Sequence, residues 1–164
     1  MANEGGSEVF LLCGLTGSGK TTYAKKLEID GVKRLSVDER VYARHGRYGV
    51  DYPEDRYFEL EQPVVFEVEA ELIQLIEQGV PVVIDHGLWV RGERARYKEL
   101  VEEHGGRWRL LYFKADTEVL RRRLRERNHR TDGNALTVTD EALDDFLARF
   151  EEPVDEGEEV IVQR

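Results

Sequence analysis

Gly14-Leu15-Thr16-Gly17-Ser18-Gly19-Lys20-Thr21 is the stretch from which the fold can be read. Gly14 and Gly19 bracket four residues, and Lys20 and Thr21 follow. Such a pattern carries meaning only between a strand and a helix. Upstream, Val9 to Cys13 is a short apolar run that reads as a buried strand; downstream, helical spacing begins at Thr22. Glycines let the backbone curl until its N–H groups converge on phosphate oxygens, and a helix start adds the positive end of its dipole. Gly14, Leu15, Thr16, Gly17, Ser18, Gly19, Lys20, Thr21 and Thr22 are therefore the expected cradle of a nucleoside triphosphate. Lys20 is placed to reach the β- and γ-phosphates, and the Thr21 hydroxyl to bind Mg²⁺.

The 164 residues suffice for one domain with its own core. Hydrophobic residues make up 40% and charged ones 35%, the balance of a globular domain with a strongly charged surface. A net charge of −10 weighs against a general nucleic-acid binder, which needs basic surface to meet phosphates. The lone cysteine, Cys13, forms no intrachain disulfide and points to a reducing compartment. No apolar run is long enough to cross a bilayer, and Met1 to Ser7 lacks the basic and apolar regions of a signal peptide. A cytoplasmic location is expected.

After the first helix, Asp30-Gly31 is a stop signal. Leu35-Ser36-Val37 reads as a second strand with Asp38 just past its end. In parallel α/β sheets ligands bind beyond the carboxyl ends of the strands, so position alone brings Asp38 near the phosphate cradle. There a carboxylate can take the proton of an acceptor hydroxyl or hold Mg²⁺ through water. Asp is also a preferred helix cap, and the roles are compatible. Arg40 to Phe58 is the least regular part, broken by Gly46, Gly49 and Pro53. Dense in aromatics and arginines, among them Tyr42, Arg44, Tyr48, Tyr52, Arg56, Tyr57 and Phe58, it is a candidate wrap for an acceptor, with Tyr42 and Arg44 as contacts; tyrosines packed into a surface excursion are the alternative.

From Glu54 to Gln78, Val64, Val65, Val68, Leu72, Leu75 and Ile76 form one helical stripe, with Glu67, Glu69, Glu71 and Glu77 mostly off it. Pro63 is expected to kink this helix or mark its main start. Val80 to Ile84 is the apolar run of a central parallel strand, ending at Asp85-His86. Asp85 is a candidate second Mg²⁺-organising carboxylate or an acceptor contact, and His86 joins the acceptor candidates. A helix over 91–103, a strand over 108–113, a helix started by Asp116 or Thr117, a helix over 140–150 capped by Thr139 and a strand over 160–162 complete the chain. Arg123 and Arg127 share one helix face ahead of a glycine-containing loop. They are candidates for neutralising a transferring phosphoryl group, whereas Arg121 and Arg125 read as solvated. The alternation of strand and helix argues a three-layer α/β/α sandwich on a five-stranded parallel sheet, one domain over 1–164 with a mobile lid at about 121–138.

With the P-loop, Asp38, the Val-Val-Ile-Asp strand end, the Arg123–Arg127-Asn128 helix and Phe150-Glu151-Glu152-Pro153, the chain resembles the small P-loop kinases. The group is that related to polynucleotide kinase, chloramphenicol phosphotransferase and the zeta toxins, and the resemblance spans Val9 to Val162. It implies ATP and Mg²⁺ on Gly14 to Thr21, Asp38 as base toward an acceptor hydroxyl, Arg123 and Arg127 as lid arginines, and Asp85 as the strand-end acid. Two departures concern the acceptor. His86-Gly87-Leu88-Trp89 stands where relatives often carry a small residue and then Thr or Asn. Val41 occupies the position one helical turn after the base where polynucleotide kinases tend to carry arginine. The expectation is an ATP-dependent kinase acting on a hydroxyl of a small molecule, a metabolite or an antibiotic. The alternatives are a polynucleotide 5′-hydroxyl kinase and a non-catalytic nucleotide-binding regulatory module.

Overall fold

A computed structural model describes residues 6–15, 17–127 and 140–163, and of Arg127 the backbone alone. Its strands are β1 (Glu8–Cys13), β2 (Lys33–Ser36), β3 (Val82–Asp85), β4 (Arg107–Lys114) and β5 (Glu158–Val162). Its helices are α1 (Lys20–Ile29), α2 (Val37–His45), α3 (Tyr57–Glu77), α4 (Arg91–Glu103), α5 (Thr117–Arg127) and α6 (Asp140–Arg149), with a 3₁₀ turn at Glu54–Arg56. All strand pairs are parallel, in the order β2-β3-β1-β4-β5. The α/β/α sandwich on a five-stranded parallel sheet expected from the alternation of elements is the fold observed.

The period of two along β1 explains the layering. Val9, Leu11 and Cys13 join the larger core cluster, with Val64, Val68 and Leu72 of α3 and Tyr97 and Val101 of α4. Phe10 and Leu12 join the smaller one, where Ala24, Tyr23 and Leu27 of α1 pack. Strands covered on both faces read as continuous apolar runs, as β1 and β3 do.

Several boundaries differ from the sequence expectation for local reasons. The second strand ends at Ser36, whose Oγ accepts a hydrogen bond from the Glu39 N–H and so caps α2. Asp38 therefore lies inside the first turn of α2, where its charge favours the helix dipole. The stretch expected to be irregular from Arg40 is helical as far as His45, and Tyr48, Tyr52 and Tyr57 beyond it are buried against one another. Helix α3 begins at Tyr57 and runs through Pro63 without a break in assignment. Asp116 caps α5, accepting from the Val119 N–H at 3.0 Å. Thr16, the Thr139 cap, the Arg127 side chain and residues 128–139 of the expected lid lie outside the described residues.

A buried ion pair fastens the C-terminal strand to the sheet's carboxyl edge. Arg94 of α4 is fully buried and forks onto Glu156, Nε at 2.7 Å and Nη2 at 2.9 Å. Its Nη1 donates to the Leu88 carbonyl at 2.8 Å. The hydrogen bond from Arg94 is the main cause that holds the Glu156 carboxyl below its ordinary range. Removing one partner of such a pair leaves a buried charge uncompensated. Glu156→Gln is expected to destabilise the fold by about 3–5 kcal/mol in urea unfolding at neutral pH. A lowered folded-state pKa means that this contribution is present above the unfolded carboxylate's value and is lost as pH falls through the folded one. The gap between wild type and variant should therefore narrow in acid; a gap independent of pH would refute the assignment.

Candidate active site

The loop from Gly14 leaves β1 at the carboxyl edge of the sheet and enters α1 at Lys20. Gly17 and Gly19 have φ of +89° and +100°, a region L side chains rarely adopt. A Cβ on Gly19 would also stand 2.9 Å from Gln163 Oε1. The loop is pinned on three sides. The Gly14 N–H donates to the Gly87 carbonyl at 3.1 Å, Lys20 Nζ to the Leu15 carbonyl at 3.1 Å, and Arg123 Nη1 of α5 to the Gly17 carbonyl at 3.3 Å. Ser18 Oγ is buried with no hydrogen-bond partner among the described residues, a polar atom that a ligand can satisfy. An α-helix N-terminus behind a glycine loop, with an orphan hydroxyl and a lysine at its mouth, fits an anionic phosphate chain.

Two carboxylates face this loop in different company. Asp85, at the end of β3 and opposite Ser36 of β2, is buried. Thr21 Oγ1 donates to it at 3.1 Å, and Arg34 holds it through Nε at 3.0 Å and Nη2 at 2.8 Å. Arg34 also reaches Glu39 at 2.6 Å. The Thr21 hydroxyl and the Asp85 carboxylate thus form an oxygen donor pair that suits Mg²⁺, a cation that prefers one or two carboxylates beside phosphate oxygens. Asp38 instead accepts a hydrogen bond from the Tyr57 hydroxyl. Burial, and then the neighbouring Asp38 charge, push the Tyr57 phenol well up, which keeps it a donor.

Beyond Asp38 lies a cavity of about 490 Å³. Lys20 and Asp38 line one part of it; Tyr57, Glu61, Val65 and Glu69, one turn apart along α3, line another. His86 and Trp89 of the loop after β3, Glu93 of α4 and Phe146 of α6 also border it. Oxygen atoms of Asp38 and Glu61 and a ring nitrogen of His86 lie within 4.8 Å of one another. Burial pushes the Glu61 carboxyl up to about 7, against the pull of His86 and with the push of Asp38. Burial opposes charging His86, but the Glu93 hydrogen bond at 3.1 Å and the Glu61 charge raise it to about 9.

The loop after β3 is shaped by contacts that the sequence does not announce. Leu88, buried, takes φ +51°, an uncommon conformation for a non-glycine residue. Its carbonyl accepts from Arg94 and Cys13. The Trp89 carbonyl accepts from the Glu151 N–H at 2.8 Å, and Glu151 Oε1 in turn accepts from the Arg91 N–H at 3.0 Å at the start of α4. The Phe150-Glu151-Glu152-Pro153 ending thereby braces the cavity wall.

Of the residues singled out from the sequence, the structure brings together Lys20, Thr21, Asp38, Asp85, His86 and Arg123 around the loop and cavity. Tyr42, half-buried on α2, and Arg44, paired with Glu67 on α3, do not line the cavity. Thr22 is exposed on α1. Tyr48, Tyr57 and Phe58, aromatics of the stretch expected to wrap an acceptor, do border the cavity, whereas Arg34, Glu61 and Glu93 were not legible as site residues. The one available signal was the four-residue spacing of Tyr57, Glu61, Val65 and Glu69 along a helix edge.

The sequence matches the AAA domain family AAA_33 over residues 9–153. Comparison with curated proteins finds no match. Among solved structures, a sugar kinase from Janibacter sp. HTCC2649 is similar at TM-score 0.63 and 21% identity, covering 96% of this chain and 85% of that one. The APS kinase of Mycobacterium tuberculosis, solved with AMPPNP and APS, is similar at TM-score 0.62 and 16% identity, covering 96% and 88%. A chain of the Pnkp1/Rnl/Hen1 RNA repair complex gives TM-score 0.71 at 20% identity; 88% of this chain is covered, and it spans 44% of that one. These similarities reach the fold, an all-parallel five-stranded sheet with a P-loop ahead of its first helix. The match over most of its length shows that the chain belongs to the AAA domain family AAA_33.

Proposed function

We propose that the chain is an ATP-dependent kinase that transfers the γ-phosphoryl group to a hydroxyl of a small molecule. The observation that carries this reading is a single cavity with Lys20 of the phosphate loop and Asp38 of α2 on its wall. A donor phosphate and an acceptor hydroxyl then meet between a cation and a base, the arrangement that phosphoryl transfer needs. A similar structure that holds AMPPNP supports ATP as the donor. The limited volume and the carboxylates on the wall favour a small acceptor over a polynucleotide.

In this reading, residues Gly14 to Thr21 bind the triphosphate, and Thr21 and Asp85 hold Mg²⁺. When bound, Mg²⁺ supplies neutralisation of phosphate charge. Arg34 keeps the Asp85 carboxylate aimed at Thr21. Tyr57 fixes the rotamer of Asp38 by donating to it. The acceptor O–H bond breaks with its proton passing to Asp38, the new O–Pγ bond forms, and the bond from Pγ to the β-phosphate oxygen breaks, releasing ADP. Lys20 and Arg123, together with Arg127, stabilise charge on the transferring group. The helix bearing these arginines acts as the lid that excludes water.

Mass-spectrometric screening of alcohol-bearing metabolites and antibiotics with ATP should find one that gains a phosphate, while a 5′-hydroxyl oligonucleotide gains none. Transfer to the oligonucleotide alone would replace the small acceptor with a nucleic-acid end. With the acceptor in hand, Asp38→Asn should lower kcat by about 10²–10⁴ and leave nucleotide binding intact. Undiminished turnover would remove Asp38 from the base position.

The cavity's crowded carboxylates also predict a pH effect on stability. Glu61 has a folded-state pKa of about 7, raised from 4.5. Between those values the folded chain binds more protons than the unfolded one, so stability falls as pH rises through this window. Glu61→Gln should therefore be the more stable protein at pH 8, by up to about 3 kcal/mol, with the advantage shrinking toward pH 4. Thermal unfolding across this range checks the sign.

A further inference from the structure

The proposed acceptor pocket is lined by four carboxylates, those of Asp38, Glu61, Glu69 and Glu93. Two of them are already matched. Glu69 takes a two-point bond from Arg96, at 3.0 Å and 2.8 Å. Glu93 holds His86. Lys20 belongs to the phosphate end. Asp38 and Glu61 face the same space, with oxygens no more than 4.8 Å apart; the His86 ring nitrogen lies as near to both, so one imidazole serves three carboxylates, and among the described residues no arginine pairs with Asp38 or Glu61. Tyr97, buried with no hydroxyl partner among the described residues, is raised by burial first and then by the charges of Glu93, Glu69 and Glu61, so it does not discharge them.

The arginines of the preceding segment are engaged elsewhere. Arg40 pairs with Glu71, Arg44 with Glu67, Arg47 with Asp51 and Arg56 with Glu59. None of these four borders the cavity. Among the described residues the cations on this wall are Lys20 at the phosphate end, His86 held by Glu93 and Arg96 held by Glu69, so an anionic acceptor, such as one already carrying a phosphate or sulfate, would compete with those carboxylates. The remaining wall is aromatic and apolar: Tyr57, Phe58, Phe66, Trp89 and Phe146, with Phe58 and Phe66 exposed at the surface. Aromatic faces attract cations, and Phe58 already carries the Arg149 guanidinium 5.1 Å from its ring centre.

We infer that the acceptor is an amino alcohol with the ammonium close to the reacting hydroxyl, the hydroxyl on Asp38 and the ammonium on Glu61 beside the aromatic wall. The inference rests on the kinase reading above and narrows it. Two polar groups on neighbouring carbons are separated by about the spacing at which each can hydrogen-bond to one of two carboxylates this close. A vicinal or 1,3 arrangement fits, and a longer separation does not. The upward shift of Glu61 agrees, since a cation between it and Asp38 would relieve it.

Three probes on one frame test this: trans-2-aminocyclohexanol, trans-cyclohexane-1,2-diol and trans-2-hydroxycyclohexanecarboxylate. Binding is followed by calorimetry at pH 7.5, and transfer by phosphorus NMR with ATP and Mg²⁺. The wild-type protein should bind the amine at least about tenfold more tightly than the diol, with the carboxylate weakest. Glu61→Gln should abolish the preference, and Glu61→Asp should keep part of it. The wild-type comparison stands whether or not either variant folds. Equal or tighter binding of the diol or the carboxylate overturns the inference. So does stoichiometric uptake of Mn²⁺ that depends on Glu61 and His86 and leaves the amine unbound. Phosphate transferred equally to diol and amine sinks the inference while the kinase reading stands. Amine-selective binding lost in Glu61→Gln, with no transfer to any alcohol, upholds the cation site and sinks the kinase reading.

Discussion

The buried guanidinium of Arg94 is the contact on which the site depends. It joins α4, the loop after β3 and the turn before β5, through Glu156 and the Leu88 carbonyl. Leu88 is held at φ +51°, a conformation that persists only when its surroundings over-determine it. The same loop lends its Gly87 carbonyl to the Gly14 N–H and its His86 and Trp89 side chains to the cavity. A single ion pair thus couples the C-terminal strand to the phosphate loop and to the cavity wall. An apolar residue of Arg94's volume would fill the space but leave the Leu88 carbonyl without that donor.

Two aspartates at neighbouring strand ends show how environment divides labour. Asp85 is enclosed, held by Arg34 and Thr21, and its oxygens have little freedom. It suits a structural charge beside a cation. Asp38 is partly open, sits on a helix start and has one phenolic donor, so an oxygen remains for a ligand. Both lie at the carboxyl edge because parallel strands deliver every following loop to the same side.

The glycine pattern before Lys20 was enough to place strand, turn and helix, and the alternation after it led to the layered parallel sheet. Those features are legible because they are local: φ at Gly17 and Gly19, apolar runs in β1 and β3, the stripe along α3. The extent of α2 was not, because Ser36 competes with Asp38 for the cap and the hydrogen bond to Glu39 decides it. Asp38 and Asp85 were found by strand-end position. Their partners Tyr57 and Arg34 were not, since these act across sequence separations of 19 and 51 residues that no short pattern encodes. Glu69, assigned by spacing to the solvent side of α3, is buried because α4 brings Arg96 over it.

The placement of charge follows from this geometry. The chain carries a net charge of −10, and its arginines between Arg40 and Arg56 are drawn into pairs on the outside of α2 and α3. Each such surface pair contributes little to stability, on the order of 0–1 kcal/mol. Their consequence is instead what they leave behind. The edge of α3 bearing Tyr57, Glu61, Val65 and Glu69 turns into the cavity with its carboxylates, and among the described arginines Arg96 alone borders it, from its exposed rim. Carboxylates in an enclosed space repel one another and rise in pKa unless a cation is supplied. Burial foremost, and then the Asp38 charge, raises Glu61 against the pull of His86, which has itself risen beside Glu93 and Glu61. The wall is therefore set electrostatically for a positive group arriving with the substrate, and aromatic rings rather than guanidinium groups surround the place where it would sit.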